Sequence, residues 1–223
     1  MSDRSNLKPT PVWDLPTRLF HWALVVLMVA AIAANKMNAM DWHMRFGLSI
    51  LALVLFRIVW GFVGGTHSRF ADFVKGPRHG MAFLKAMLQG REPPTAGHNP
   101  VAGMMMLALL AALAVHASLG LFGNDDIIFD APLSKMVSKK TSDLMTTYHK
   151  YLFKGILALV ALHVGAALYH ALVKKEDLIR AMFTGKKSLP PETAQPPARM
   201  GSPWLAALIL ACTGLAVWGV TKL

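Results

Sequence analysis

Cysteine is almost absent: Cys212 stands alone among 223 residues. An intramolecular disulfide, a thiolate zinc site and covalent attachment through a CxxCH motif are excluded with it, and a small packing role inside an apolar segment remains for the thiol. Charge is the second scarcity. Only 16% of residues are charged against 54% hydrophobic, too few to clothe a soluble domain of this length. Carboxylates are scarcer still, 12 against 23 Lys plus Arg, and the long apolar runs hold almost none, which argues against a carboxylate-lined cation pathway. The net charge of +11 has no soluble basic surface with groove-reading or aromatic elements behind it, so nucleic acid is excluded as a partner. A lipid bilayer fits this composition, with the basic residues meeting headgroups.

In place of charge the chain has long apolar runs. Leu19 to Ala34 (with a start near Asp14), Leu48 to Val63, Val101 to Phe122 and Leu152 to Val173 are apolar enough to cross a bilayer, and a fifth runs from Trp204 to Val220. Basic residues sort the connections. The N-terminal tail (Arg4, Lys8, Arg18), the second connection (Arg69, Lys75, Arg78, Lys85, Arg91) and the fourth (Lys174, Lys175, Arg180, Lys186, Lys187, Arg199) hold most of the positive charge, which puts them and the N-terminus on the cytoplasmic side. The opposite side has Lys36, then Lys135, Lys139, Lys140 and Lys150 mixed with Asp125, Asp126 and Asp130. Two cytoplasmic stretches, "FVKGPRHGMAFLKAMLQG" and "EDLIRAMFTGKK", set apolar side chains among basic ones as interfacial helices do. The expected organisation is a four-helix domain over 1–184, a proline-rich linker over 185–202 and a fifth transmembrane helix over 203–223. Trp204 and Trp218 would anchor that helix at the two interfaces. Its small residues Ala207, Ala211 and Gly214 suit close approach to a partner's helix or to its own bundle.

Nine histidines are present, and an imidazole inside a span is costly enough to ask for a function. His67, His79 and His98 fall in or beside the cytoplasmic connection, where a solvated or interfacial ring needs no special explanation. His21, His43, His116, His149, His163 and His170 fall within spans or at their ends. In "HKYLFKGILALVALH" the histidines 149 and 163 are close to four turns apart, so they share a helix face and lie about 21 Å apart along the axis. Topology puts His21 at the depth of His163 in the cytoplasmic leaflet, and His43 at the depth of His149 in the other. Paired histidines from facing helices at matched depth are what bis-imidazole ligation of a haem iron requires, because the axial ligands approach from opposite faces of the macrocycle. Arg57 lies on the face of His43 but at the inner level, where a haem propionate would explain a buried positive charge. Arg18, one turn before His21, suits the same haem, and Arg45 and Lys150 suit the outer one. His170 continues the stripe toward the cytoplasmic edge, as a quinone-pocket residue or an interfacial one. His116 lies near the outer pair, as a haem-edge contact or a substitute ligand. The competing reading is a set of hydrogen-bonded bundle histidines, with Arg57 snorkelling to the interface.

The segments "VWDLPTRLFHW", "FRIVWGFVG" followed by "RFADFV", "GHNPVAG" and "ALHVGAALYHALVKKEDLIRAMFTG" together resemble the prokaryotic cytochrome b561 family, related to the cytochrome b subunits of nickel-iron hydrogenases. The resemblance covers about residues 12 to 185, in the family's order. It implies a four-helix bundle with non-covalent b haem in the bacterial inner membrane, exchanging electrons with quinone. It also implies ligands from the first, second and fourth helices, which here are His21, His43, His149 and His163. The fifth helix is an addition to the shorter members, and His116 is not a ligand position of the family.

The expected protein is an all-α integral membrane protein, a four-helix transmembrane haem-binding bundle plus a fifth helix. It would be a di-haem b-type cytochrome moving electrons between the quinone pool and a periplasmic partner, such as a c-type cytochrome docking on helix five. Two alternatives stay open: a superoxide:quinone oxidoreductase acting alone, and the anchor and electron relay of a hydrogenase or dehydrogenase. The non-redox alternative is a colourless transporter or scaffold.

Overall fold

The computed structural model describes residues 7–125, 129–190, 193 and 198–222; Arg4, Asp126 and most of 191–197 of the expected linker lie outside the described residues. The elements run β1 (Lys8–Pro11), α1 (Leu15–Lys36), α2 (Met40–Val63), α3 (Phe70–Phe73), α4 (Pro77–Leu88), α5 (Pro100–Gly120), α6 (Lys139–Tyr169), α7 (Leu178–Thr184), β2 (Lys186–Leu189) and α8 (Pro203–Val220). A π-helical turn, His170–Lys174, prolongs α6. Helices α1, α2, α5, α8 and α6 with its π turn are long and apolar enough to cross a membrane. Val26, Val29 and Leu162 are each at least 60% exposed, a pattern costly in water and ordinary against lipid. The chain is thus mostly helical and reads as a multi-pass membrane protein.

Local polar residues decide where these helices begin. The apolar runs suggest starts near Leu48 and Leu152, yet α2 begins at Met40 and α6 at Lys139. Asp41 sits in the first turn of α2, where its charge meets the helix dipole, and the Ser138 hydroxyl accepts from Thr141 N at 3.2 Å to cap α6. Likewise Asn99 Oδ1 accepts from Ala102 N at 2.8 Å ahead of α5, whose first residue is Pro100. His43 and Arg57 therefore share one unbroken helix, and so do His149 and His163.

The chain divides into two compact units, residues 1–19, 60–108 and 161–206, and residues 20–59, 109–160 and 207–223. The first unit is organised around Asp14, which is 3% exposed. Its carboxylate accepts from Thr17 N (2.9 Å), Gly65 N (3.1 Å) and the Ser68 hydroxyl (2.9 Å), so a buried charge is met by three donors and caps α1 as well. A Cβ on Gly65 would lie 2.5 Å from Asp14 Oδ2, so the close approach requires glycine. β1 pairs antiparallel with β2, Lys8 opposite Leu189 and Pro11 opposite Lys186. Arg199 O accepts from Thr66 N and Arg199 N donates to Thr66 Oγ1, both at 2.9 Å, while Gly201 packs on the fully buried Trp60. The stretch expected as a plain linker over 185–202 is thus a strand followed, at 198–201, by a docked segment. A second difference concerns two histidines expected to be solvated or interfacial. His67 is 9% exposed, with Nδ1 2.8 Å from Asp72 Oδ2, and His98 lies between Trp13 (4.7 Å) and Phe73 (4.9 Å).

In the second unit Leu51 and Ala52 of α2 bury Val217 of α8, with Leu48, Leu55, Ala117 and Leu121 around them. Helix five therefore packs on α2 and α5 through a valine. Its small-residue stripe is not the contact: Ala207 and Ala211 are exposed and a Cβ on Gly214 would meet nothing within 4 Å. The described residues of the connection into α6 are tied down as well, with Leu133 N donating to Leu121 O, Ala131 N to Gly123 O, and the Ser142 hydroxyl to Phe122 O.

Candidate functional site

Three histidines gather in the second unit, on three helices: His43 on α2, His116 on α5 and His149 on α6. His43 Nδ1 lies 2.9 Å from Ala31 O, and His149 Nδ1 lies 2.9 Å from His116 O. A carbonyl only accepts, so each Nδ1 carries the proton and each Nε2 keeps its lone pair. The rings of His43 and His149 are 6.2 Å apart between centres, with their planes crossed at 86°. An imidazole bound to a metal at about 2 Å has its centre ~3 Å away, so two imidazoles flanking one ion stand ~6 Å apart. The chemistry and separation of these two rings fit a haem iron between them. His116 adds a second layer, its ring stacked on His149 at 3.7 Å and 17°. A Cβ on Gly120 would come within 3.1 Å of His149 Cε1, so a bare glycine lets α5 approach the imidazole.

The other predicted positions are distributed differently. His21 belongs to the second unit, half-buried with its ring edge-on to Trp22 at 4.9 Å, and His163 belongs to the first, exposed on α6. Arg57 is 2% exposed in the second unit, the burial expected of it. Arg18 donates to Phe183 O, closing the last turn of α7, a role the sequence did not suggest. Arg45 stacks its guanidinium over Trp42 at 5.0 Å, and Lys150 is exposed.

A separate polar cluster surrounds the π turn in the first unit. His170 Nδ1 is 3.5 Å from Glu176 Oε1, Lys187 Nζ is 3.2 Å from Glu176 Oε2 and donates to Thr95 O at 3.0 Å, and Lys174 Nζ is 2.6 Å from Glu92 Oε1. The hydrogen bond from Lys174 holds the Glu92 carboxyl below the usual carboxylate range. Sequence reading missed this cluster, since its members come from three separated segments.

The chain matches a family described as prokaryotic cytochrome b561 over residues 12–185. It is similar to a probable Ni/Fe-hydrogenase B-type cytochrome subunit of Bradyrhizobium diazoefficiens, at 26% identity over 83% of this chain and 89% of that one. It is also similar to a probable Ni/Fe-hydrogenase B-type cytochrome subunit of Cupriavidus necator, at 24% identity over 82% and 88%. No solved structure matches significantly. With a match that runs from the residues ahead of α1 to the glycine ending α7, the chain belongs to the prokaryotic cytochrome b561 family, the membrane b-type cytochromes that carry electrons on haem b.

Proposed function

We propose that the chain is a di-haem b-type cytochrome that moves electrons across the bacterial inner membrane between a periplasmic redox partner and the quinone pool. The observation that carries this reading is the His43–His149 pair, two Nε2 lone pairs on rings 6.2 Å apart between centres. By sequence spacing alone, His21 and His163 would supply the inner pair, His163 standing four turns along α6 from His149. When bound, haem b supplies reversible one-electron chemistry. The chain's residues ligate, orient and bury. The carbonyls of Ala31 and His116 fix the outer imidazoles and raise their basicity. Arg57, which is buried, would offset the charge of an inner propionate, and its sequence position one turn before His21 gives Arg18 the same role. The quinone head group is placed at the cytoplasmic end, near His170 and the π turn. The positive-inside rule puts the N-terminus in the cytoplasm. An optical spectrum with a pyridine haemochrome assay tests the reading: two haem b per chain is the expected result, and one haem or a colourless protein overturns it.

The names of the two relatives favour one form of the partner, a hydrogenase-like enzyme for which this chain is the membrane anchor and relay. Purification in mild detergent from the native membrane should then bring a hydrogen-reducible companion with the chain. A chain that purifies alone, and that superoxide reduces with quinone as acceptor, would support the stand-alone oxidoreductase instead.

A further inference from the structure

His116 touches His149 in two independent ways. Its carbonyl accepts from His149 Nδ1 at 2.9 Å, and its ring lies against the His149 ring at 3.7 Å between centres and 17° between planes. The hydrogen bond fixes one point of the His149 ring and leaves it able to twist about the line through that point. The stack removes the twist, because rotation drives one edge of His149 into His116. Phe153, one turn beyond His149 on α6, is a second ring beside His116, 6.2 Å away and inclined 29°. Gly120, one turn further along α5, restricts the ring as well: a Cβ there would stand 3.1 Å from His149 Cε1 and 3.3 Å from its Nδ1, tighter than ordinary contact. His116 Nδ1 is buried and has no hydrogen-bond partner among the described residues, so the ring is placed by its face and not by that nitrogen.

A near-parallel neighbour, His116, and a crossed neighbour, His43, define one orientation for His149. His43 stands at 86° to it, and His116 holds it there. We propose that His116 is a positioning residue that locks the rotation of the His149 imidazole, keeping it crossed with His43, and so sets the electronic signature of the outer haem. The proposal rests on the reading of His43 and His149 as a ligand pair. Stacking leaves the in-plane Nε2 lone pair of His149 unobstructed, so His116 acts on the ligand's orientation and not as a ligand itself.

Crossed axial imidazoles give a ferric low-spin haem a strongly anisotropic electron paramagnetic resonance signal, and parallel ones a less anisotropic signal. That signal reads ring orientation directly. His116→Ala keeps the carbonyl and removes the stack; His116→Phe keeps both. The purified protein with its haem is expected to give one strongly anisotropic outer-haem signal. His116→Ala should displace it or split it into two populations and move the outer midpoint potential, with haem content and inner-haem signal unchanged. His116→Phe should retain the native signal. Gly120→Ala, which pushes on the same ring from α5, should displace the same signal and no other. An unmoved outer signal in both His116→Ala and Gly120→Ala overturns the proposal, as does His116→Phe behaving like His116→Ala. Loss of one haem in His116→Ala would make His116 a ligand, which also overturns it. If His149→Ala keeps both haems, the ligand reading itself fails; that measurement is independent of any change at position 116.

Discussion

At the scale of single residues, His43 and His149 each use one ring nitrogen on a main-chain carbonyl, and the other is the nitrogen proposed to bind haem iron. Replacing either with alanine is expected to remove one haem and leave the other, with His21→Ala and His163→Ala removing the complementary one. Haem content per chain, with redox titration to identify which haem is lost, checks this; His21→Ala emptying the site that His43→Ala empties would break the depth pairing. Arg57 is buried, and as the proposed partner of an inner propionate its replacement, Arg57→Leu, is expected to lower the inner midpoint potential, because removing a nearby positive charge favours the oxidised state. Arg57→Lys should restore only part of the shift, having a point charge in place of the planar fork. Two unchanged potentials would remove Arg57 from the site. The histidine and arginine pattern was legible because fourteen residues are nearly a whole number of turns. The Asp14 hub was not, since its partners Gly65 and Ser68 lie 51 and 54 residues away.

At the scale of elements, polar ends shape the helices and polar clusters tie their connections. Lys174 and Glu92 join the π turn to the segment ahead of α5. Because the folded Glu92 carboxyl titrates below its ordinary value of 4.5, the contact contributes fully above that value and fades as pH falls through the lower, folded one. Stability measured by thermal unfolding in detergent from pH 7 to 4 should therefore fall at the acid end, and Glu92→Gln should flatten that part of the profile. An identical acid loss in Glu92→Gln would rule out the contact as its source. Helix α8 offers a second test. Val217→Ala opens a gap against Leu51 and Ala52 and is expected to cost about 1 kcal/mol, read as a lowered unfolding temperature. Ala211→Leu, at an exposed position, should leave that temperature unchanged. The five spans were legible as apolar runs, and α1, α5 and α8 begin within a residue of the starts read from them; α2 and α6 begin ahead of their runs, because Asp41 and Ser138 extend those helices into polar sequence.

At the scale of the whole molecule, charge is carried on the connections. The basic residues Lys135, Lys140 and Lys150 are exposed around the connection into α6, whereas Lys139 is held by Asp143 and Asn124. If this side faces the periplasm, the free lysines attract an anionic donor or an acidic protein patch, and the encounter rate falls as salt rises. Stopped-flow haem reduction across ionic strengths should show that fall, with Lys140→Gln/Lys150→Gln slowing the low-salt rate and Lys139→Gln changing it little. A rate indifferent to salt and to the double substitution would dismiss steering.

Sequence alone determined the class of this protein. Scarce charge, one cysteine and five apolar runs left a helical membrane chain, and histidines spaced by whole turns were placed on one helix face, because helical periodicity is a local property that a sequence carries in full. Tertiary structure decided what those residues meet. It brought His116 onto His149, turned the start of the expected linker into a strand paired with residues 8–11, and gave Arg18 the carbonyl of Phe183. Those contacts join segments as far apart as Lys8 and Leu189, and no local pattern encodes which distant carbonyl or ring will complete a side chain's surroundings.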